Sequence, residues 1–176
     1  MNIKLTGVLT LVTGLFAGIA SAQDTVEWLT LGSDYAHTRY SPANKIDKTN
    51  FEQLEEAWVW DGSSFGAESG RATPSYVDGK LVFVAGPRRH VIVADAGTGE
   101  TLCSYREPNT FRYEYSMRKD YGKGVAIAEV DGKKVIYITS PAFFLTALDM
   151  DTCSPLEGFG GQIPVDGFPQ TGVVDL

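Results

Sequence analysis

The residues best able to do chemistry are few and scattered. His37 and His90 are the only histidines, and neither has a His-x-x-x-His or Cys-x-x-Cys partner, so their spacing offers no zinc site. Asp149-Met150-Asp151 could open a calcium loop, but the glycine of the sharp turn and the closing glutamate are missing, and it reads better as a turn between strands. Gly158 to Gly161 is no phosphate cradle, because no Lys-Ser or Lys-Thr follows and no helix is expected there. Tyr113, Tyr115 and Tyr121, interleaved with Arg112, Arg118 and Lys119, form an aromatic and basic stretch. It could line a binding face; the alternative is a long loop packed on its own strands. Cys103 and Cys153 are the only cysteines, and their chemistry depends on the compartment.

The N-terminus speaks to that compartment. Lys4 precedes an apolar run over residues 5–19, broken only by Gly and Thr, and Ala20-Ser21-Ala22 is a small-x-small cleavage site. Residues 1–22 therefore read as a signal peptide, with the mature chain starting at Gln23. The run falls short of the roughly 20 apolar residues a membrane anchor needs. Gln rather than Cys follows the cleavage site, so no lipid anchor is indicated. The mature protein is expected to be periplasmic or secreted, where disulfides form. No other segment could span a bilayer. A net charge of −7 without a basic run argues against a nucleic-acid partner.

The elements that must position these residues are short strands. Residues 75–77 and 80–85 flank Asp78-Gly79, and residues 124–130 and 133–139 flank Asp131-Gly132; each dipeptide is a strong hairpin signal. Third strands are expected over 90–94 and 144–148, each followed by an Asp-rich turn. One short helix is expected over residues 48–56, where Phe51 and Leu54 sit three apart. The pieces repeat. Val77-Asp78-Gly79-Lys80 falls on Val130-Asp131-Gly132-Lys133, and Asp95, Thr98 and Leu102 fall on Asp149, Thr152 and Leu156. A period of roughly 50 residues with four short strands marks a propeller blade. Residues 23–176 are thus expected to be an all-β, incomplete β-propeller domain: about two four-stranded blades, plus an outer strand near residues 57–60 belonging to a shared blade. Propellers close with about four to eight blades, so the chain is expected to be a fragment, a truncated product or half of an assembly.

The stretch from Glu27 to Glu55 resembles the N-terminal signature of the bacterial quinoprotein alcohol/glucose dehydrogenases, which depend on pyrroloquinoline quinone. Glu27-Trp28 opens it, Gly32 follows, and Tyr40-Ser41 within Thr38-Arg39-Tyr40-Ser41-Pro42 supplies its aromatic-Ser pair. Ile46, Asn50 and Leu54 stand at the family spacing, with Asp47 in place of Asn and Phe51 in place of Val. The blade pattern Ala-x-Asp-x-x-Thr-Gly-x-x-x-Trp covers residues 93–103 and, less perfectly, 147–157. The resemblance spans essentially the whole mature chain.

It implies an eight-bladed propeller carrying the quinone on its axis beside calcium. In the family the quinone takes two electrons from an alcohol or the C1 of a sugar and passes them to a periplasmic electron acceptor. The family's metal ligands and catalytic Asp come from later blades, so this chain alone is expected to be inactive. Two cofactor-contact positions fall within it. Arg71 stands before Ala72-Thr73-Pro74, where the family often has an acid, and Lys123 stands before Gly124-Val125-Ala126, where it has an Arg. Lys123 keeps the cation but loses the planar fork; Arg71 reverses the charge, which quinone carboxylates could welcome. For each, the alternative is a surface residue at a blade entrance. Met117-Arg118 stands where methanol-oxidising members carry adjacent cysteines, so that vicinal disulfide is absent.

The resemblance also implies a disulfide between Cys103 and Cys153. In these propellers the Trp ending one blade motif packs on the peptide at the Gly position of the next. Cys103 occupies the first of those positions and Cys153 the second. The other reading is two buried free thiols. A rival to the enzyme is a non-catalytic propeller scaffold for protein–protein interaction in the cell envelope, which the changes at Arg71 and Lys123 keep open.

Overall fold

A computed structural model describes residues 26–66, 72–119, 124–164 and 167–176; the expected signal peptide lies outside them. The described residues form two four-stranded antiparallel sheets. The first holds β1 (Ser75–Val77), β2 (Lys80–Ala85), β3 (His90–Asp95) and β4 (Thr101–Tyr105); the second holds β5 (Ala126–Val130), β6 (Lys133–Thr139), β7 (Phe144–Asp149) and β8 (Val173–Asp175). In each sheet the strand order follows the chain. This is the expected partial propeller, two blades side by side.

Local chemistry sets each blade. Asp78 and Gly79 have φ of 48° and 72°, and Asp131 and Gly132 have 50° and 76°; positive φ at both central residues is what a two-residue hairpin of this twist requires. At the next turn, Asp95 Oδ1 accepts from Gly97 N (2.9 Å), Thr98 N (2.8 Å) and Thr98 Oγ1 (3.1 Å). Asp149 Oδ1 repeats the pattern with Asp151 N (3.0 Å), Thr152 N (3.1 Å) and Thr152 Oγ1 (3.1 Å). A short side chain that satisfies its own backbone in this way makes a turn without help from tertiary contacts.

The blades share one core. Alternation along the strands turns Val77, Val82, Val91 and Val93 of the first sheet toward Ile127, Ile136, Ile138 and Leu148 of the second, with Met150 and Cys153 completing the cluster. The N-terminal segment joins both sheets at their inner edges. Trp28 exchanges two backbone hydrogen bonds with Tyr76 of β1 (2.7 and 2.9 Å), while the Leu29 carbonyl accepts from Ile127 N of β5 at 3.2 Å. Among the described residues, no helix is long and apolar enough to cross a membrane.

The fold departs from the sequence reading in three places. The expected helix over 48–56 is a single 3-10 turn, Phe51–Gln53, and its Phe51 and Leu54 are exposed. Asp47 and Asn50 spend their side chains on the nearby Thr49 and Lys45 backbone and hold a compact loop instead. Residues 57–60 form no ladder, because no strand lies beside them to pair with among the described residues. They dock through side chains: Trp58 Nε1 donates to the Ala96 carbonyl at 3.2 Å, and Trp60 Nε1 to Thr101 Oγ1 at 3.0 Å. The Trp58 ring lies so close on Gly99 that an added Cβ would meet it at 2.6 Å. Third, the outer strand of the second blade is split. Pro155 bridges Leu148, Leu156 N donates to the Ala147 carbonyl (2.9 Å), and the ladder resumes only when Ala147 N donates to the Gly172 carbonyl (2.8 Å), ahead of β8. The described residues 157–164 and 167–171 loop out between the two halves.

Candidate functional site

The meander puts the Asp-Gly turns and the Asp-rich turns at one end of the sheets. At the other end lie the β2–β3 and β6–β7 turns, the connector from β4 to β5, and the entrances to the inner strands β1 and β5. Arg71 and Lys123 fall outside the described residues. Their described neighbours meet. Gly124, at φ +95°, lies so near β1's entrance that an added Cβ would sit 3.1 Å from the Thr73 carbonyl oxygen. The two inner-strand entrances thus lie close together, and a side chain at Gly124 would be strained by its positive φ and crowded against Thr73.

The same end gathers charge between the blades. Glu107, just beyond β4, is buried, and among the described residues its Oε2 has no hydrogen-bond partner. Burial pushes its carboxyl above the ordinary range, against the Ser140 hydroxyl and the cations Arg88, Arg89 and Arg112, which favour the charged form. Arg88 Nη2 donates to the Glu107 carbonyl (2.9 Å) and Arg89 Nη1 to the Thr139 carbonyl (2.7 Å), tying the β2–β3 turn to the connector and to the second blade. Next to Glu107, burial pushes the Tyr105 phenol up to about 12.

A raised carboxyl pKa has a defined sign in linkage. Glu107 holds its proton more tightly folded than unfolded, so its contribution is complete below the unfolded value and is lost as pH rises through the folded one. Glu107→Gln keeps the shape without the titration. Urea midpoints measured from pH 4 to 8 should therefore show the variant gaining on the wild type as pH rises; parallel curves would remove Glu107 from this role.

The aromatic and basic stretch packs on the second blade. Its one turn of helix, α1 (Phe111–Glu114), is capped by Thr110, whose hydroxyl accepts from Tyr113 N at 3.1 Å. Tyr113 is buried with Ala142, Phe144, Ile163, Phe168 and Val173, in a second small core shared with the looped-out residues. Arg88 and Lys119 stack on its ring at 5.2 and 5.1 Å. Arg112 covers the Phe144 ring at 4.6 Å and pairs with Asp175. Tyr115 and Met117 are exposed; Tyr121 lies outside the described residues.

The cysteines are joined. Cys103 of β4 and Cys153 of the turn after β7 form a disulfide with their Cα atoms 5.8 Å apart, tying the first blade to the second at the end opposite Glu107. Sulfur positions were legible in the sequence; Glu107 was not, since Arg88 and Arg89 reach it from the β2–β3 turn and no local pattern marks a buried acid. Among the described residues no three His, Cys, Asp or Glu side chains gather as metal ligands.

The family model described as glucose/ethanol/alcohol dehydrogenase, beta-propeller domain, matches residues 28–175. The quinohemoprotein alcohol dehydrogenase of Comamonas testosteroni is 38% identical over 159 residues, covering 86% of this chain and 21% of that protein. Quinohemoprotein alcohol dehydrogenase ADH IIB of Pseudomonas putida is 35% identical over 135 residues, covering 76% of this chain and 18% of its own length. The crystal structure of the Comamonas testosteroni enzyme superposes with a TM-score of 0.62 at 29% identity, over 81% of this chain and 21% of that one. A europium-containing methanol dehydrogenase shares the fold, with a TM-score of 0.53 at 21% identity over 73% of this chain and 22% of that one. The chain spans about a fifth of the length of these relatives. With two blades, their shared core and a family match running from Trp28 to Asp175, the chain belongs to the pyrroloquinoline quinone-dependent glucose/ethanol/alcohol dehydrogenase β-propeller family.

Proposed function

We propose that the chain supplies the N-terminal blades of a dehydrogenase that oxidises an alcohol with pyrroloquinoline quinone outside the cytoplasm. The observation that carries this reading is the Thr73–Gly124 joint, at the end of the sheets where Arg88, Arg89 and Arg112 also gather. Lys123 stands one residue before Gly124, and Arg71 two before Thr73. In this reading the two cations hold and orient the quinone's carboxylates, and Lys123 stabilises the reduced, more anionic form. The quinone, when bound, supplies the two-electron chemistry. Calcium ligands, the catalytic base and the site for a periplasmic electron acceptor belong to later blades. The relatives named above are alcohol dehydrogenases, which favours an alcohol over a sugar.

Titrating the full-length apoprotein with quinone tests the site. Lys123→Ala removes a charge-assisted hydrogen bond worth about 1.5–3 kcal/mol, so the quinone Kd should rise about 10- to 150-fold. An unchanged titration takes Lys123 out of the site. Export has its own check. Amino-terminal sequencing of the protein recovered from the periplasm should begin at Gln23, and a retained Met1 would end the signal-peptide reading.

A further inference from the structure

We propose that the Cys103–Cys153 bridge is an oxidation-dependent latch, which completes the docking of the second blade on the first only after the chain has left the cytoplasm. The inference rests on the export reading above and deepens it, since the latch ties together the two blades whose entrances form the proposed quinone site.

The first blade shows what the latch replaces. There the seam is closed without covalent chemistry: the Trp58 indole N–H bonds the Ala96 carbonyl at 3.2 Å, and its ring covers Gly99. One repeat later Met150 stands for Ala96 and Cys153 for Gly99. The backbone of the two turns is the same. Gly99 N bonds the Asp95 carbonyl at 2.9 Å and Cys153 N the Asp149 carbonyl at 2.8 Å. Gly99 has φ of 75° and Cys153 of 55°, a conformation that disfavours a side chain. Cys103 reaches the same place as the indole, its Sγ 3.8 Å from the Met150 carbonyl; as a disulfide sulfur it has no proton to donate there, so the S–S bond alone makes the tie. A Cβ at Gly99 would lie 2.6 Å from the Trp58 ring. An indole and a side chain at the two positions therefore exclude each other, and the chain holds either Trp with Gly or Cys with Cys.

Reduction would undo the tie and little else. A dithiol passes two electrons and two protons to the bridge, giving two thiols and its own cyclic disulfide. The Asp149 side chain still makes the turn by itself. Among the described residues, what remains at that end of the seam is the apolar cluster and the Lys80–Asp151 pair, whose carboxylate is 76% exposed and contributes little.

The test uses the full-length apoprotein in four forms: oxidised wild type, wild type held in dithiothreitol, Cys103→Ser/Cys153→Ser, and Cys103→Trp/Cys153→Gly. Hydrogen exchange of amides 102–105 and 149–154 should quicken at least about ten-fold in the reduced and serine forms, with a matching rise in quinone Kd. The Trp/Gly form should exchange at the oxidised rate with or without dithiol. Equal exchange in oxidised and reduced wild type overturns the latch, whether or not the Trp/Gly form folds; so does a folded Trp/Gly form as loose as the serine one. Exchange that follows the sulfur redox state in a protein that binds no quinone in any form supports the latch and overturns the functional reading instead.

Discussion

Leu148→Ala should cost this chain about 2–5 kcal/mol, toward the upper end of that range. Leu148 is fully buried on the face of β7 turned toward the first blade, where it meets residues from both sheets. Truncation leaves a void between two sheets that cannot collapse freely. The bridge pins them at one end, and the Arg89–Thr139 hydrogen bond joins them at the other. Urea titration of residues 23–176 measures the loss. A change below about 1 kcal/mol would mean that the blades do not bury one core together.

Phe144→Ala should be as damaging, at about 3–5 kcal/mol, but with a different signature. Phe144 is buried in the second cluster, 4.6 Å from the Phe168 ring, and carries the Arg112 guanidinium on its face at 4.6 Å. Its removal takes away the floor under both α1 and the looped-out residues. Hydrogen exchange should therefore quicken in 111–119 and 159–173 while β2 and β3 keep their protection. Uniform loosening of both sheets would show that the second cluster is not a separate unit.

The blades were legible in the sequence because their determinants are local. An Asp-Gly pair writes its turn in two residues, and Asp95 and Asp149 close theirs within three. Continuous apolar runs, Leu81–Ala85 in β2 and Val135–Ile138 in β6, then mark the strands between the turns. The bridge was legible for a different reason: the blade repeat superposes Cys153 on Gly99, and the family pattern supplies the rest. Three features were hidden. Residues 57–60 look like a strand, but a strand exists only where a neighbour offers its backbone, and Trp58 and Trp60 dock instead through their rings. The apolar spacing of Phe51 and Leu54 suggested a helix, yet Asp47 and Asn50 capture the nearby backbone first. Nor could the repeat show where the second blade's outer strand would resume. Leu156 matches Leu102 in sequence, but the ladder leaves the chain after two residues and picks it up at Gly172, where close packing on Pro155 requires a glycine. As for the site, its two candidate cations were visible as departures from a family pattern. The buried Glu107, which answers to arginines on two other segments, was not.

The split outer strand makes the second blade a splice point. Its ladder on β7 is held by residues on either side of the excursion, Pro155–Leu156 before and Gly172–Asp175 after, while the excursion is itself anchored where Phe159 and Gly161 bond Gly172 and Val173 and where Ile163 and Phe168 enter the second core. The entropy of closing such an excursion grows only with the logarithm of its length, about 0.6 kcal/mol for each doubling. Insertion at the exposed Gly161–Gln162 therefore costs little as long as Ile163 and Phe168 keep their places in the second core, and an engineer can graft a reporter peptide or a binding loop there without re-cutting the blade. Of the two blades, the second is the one on which new surface can be mounted.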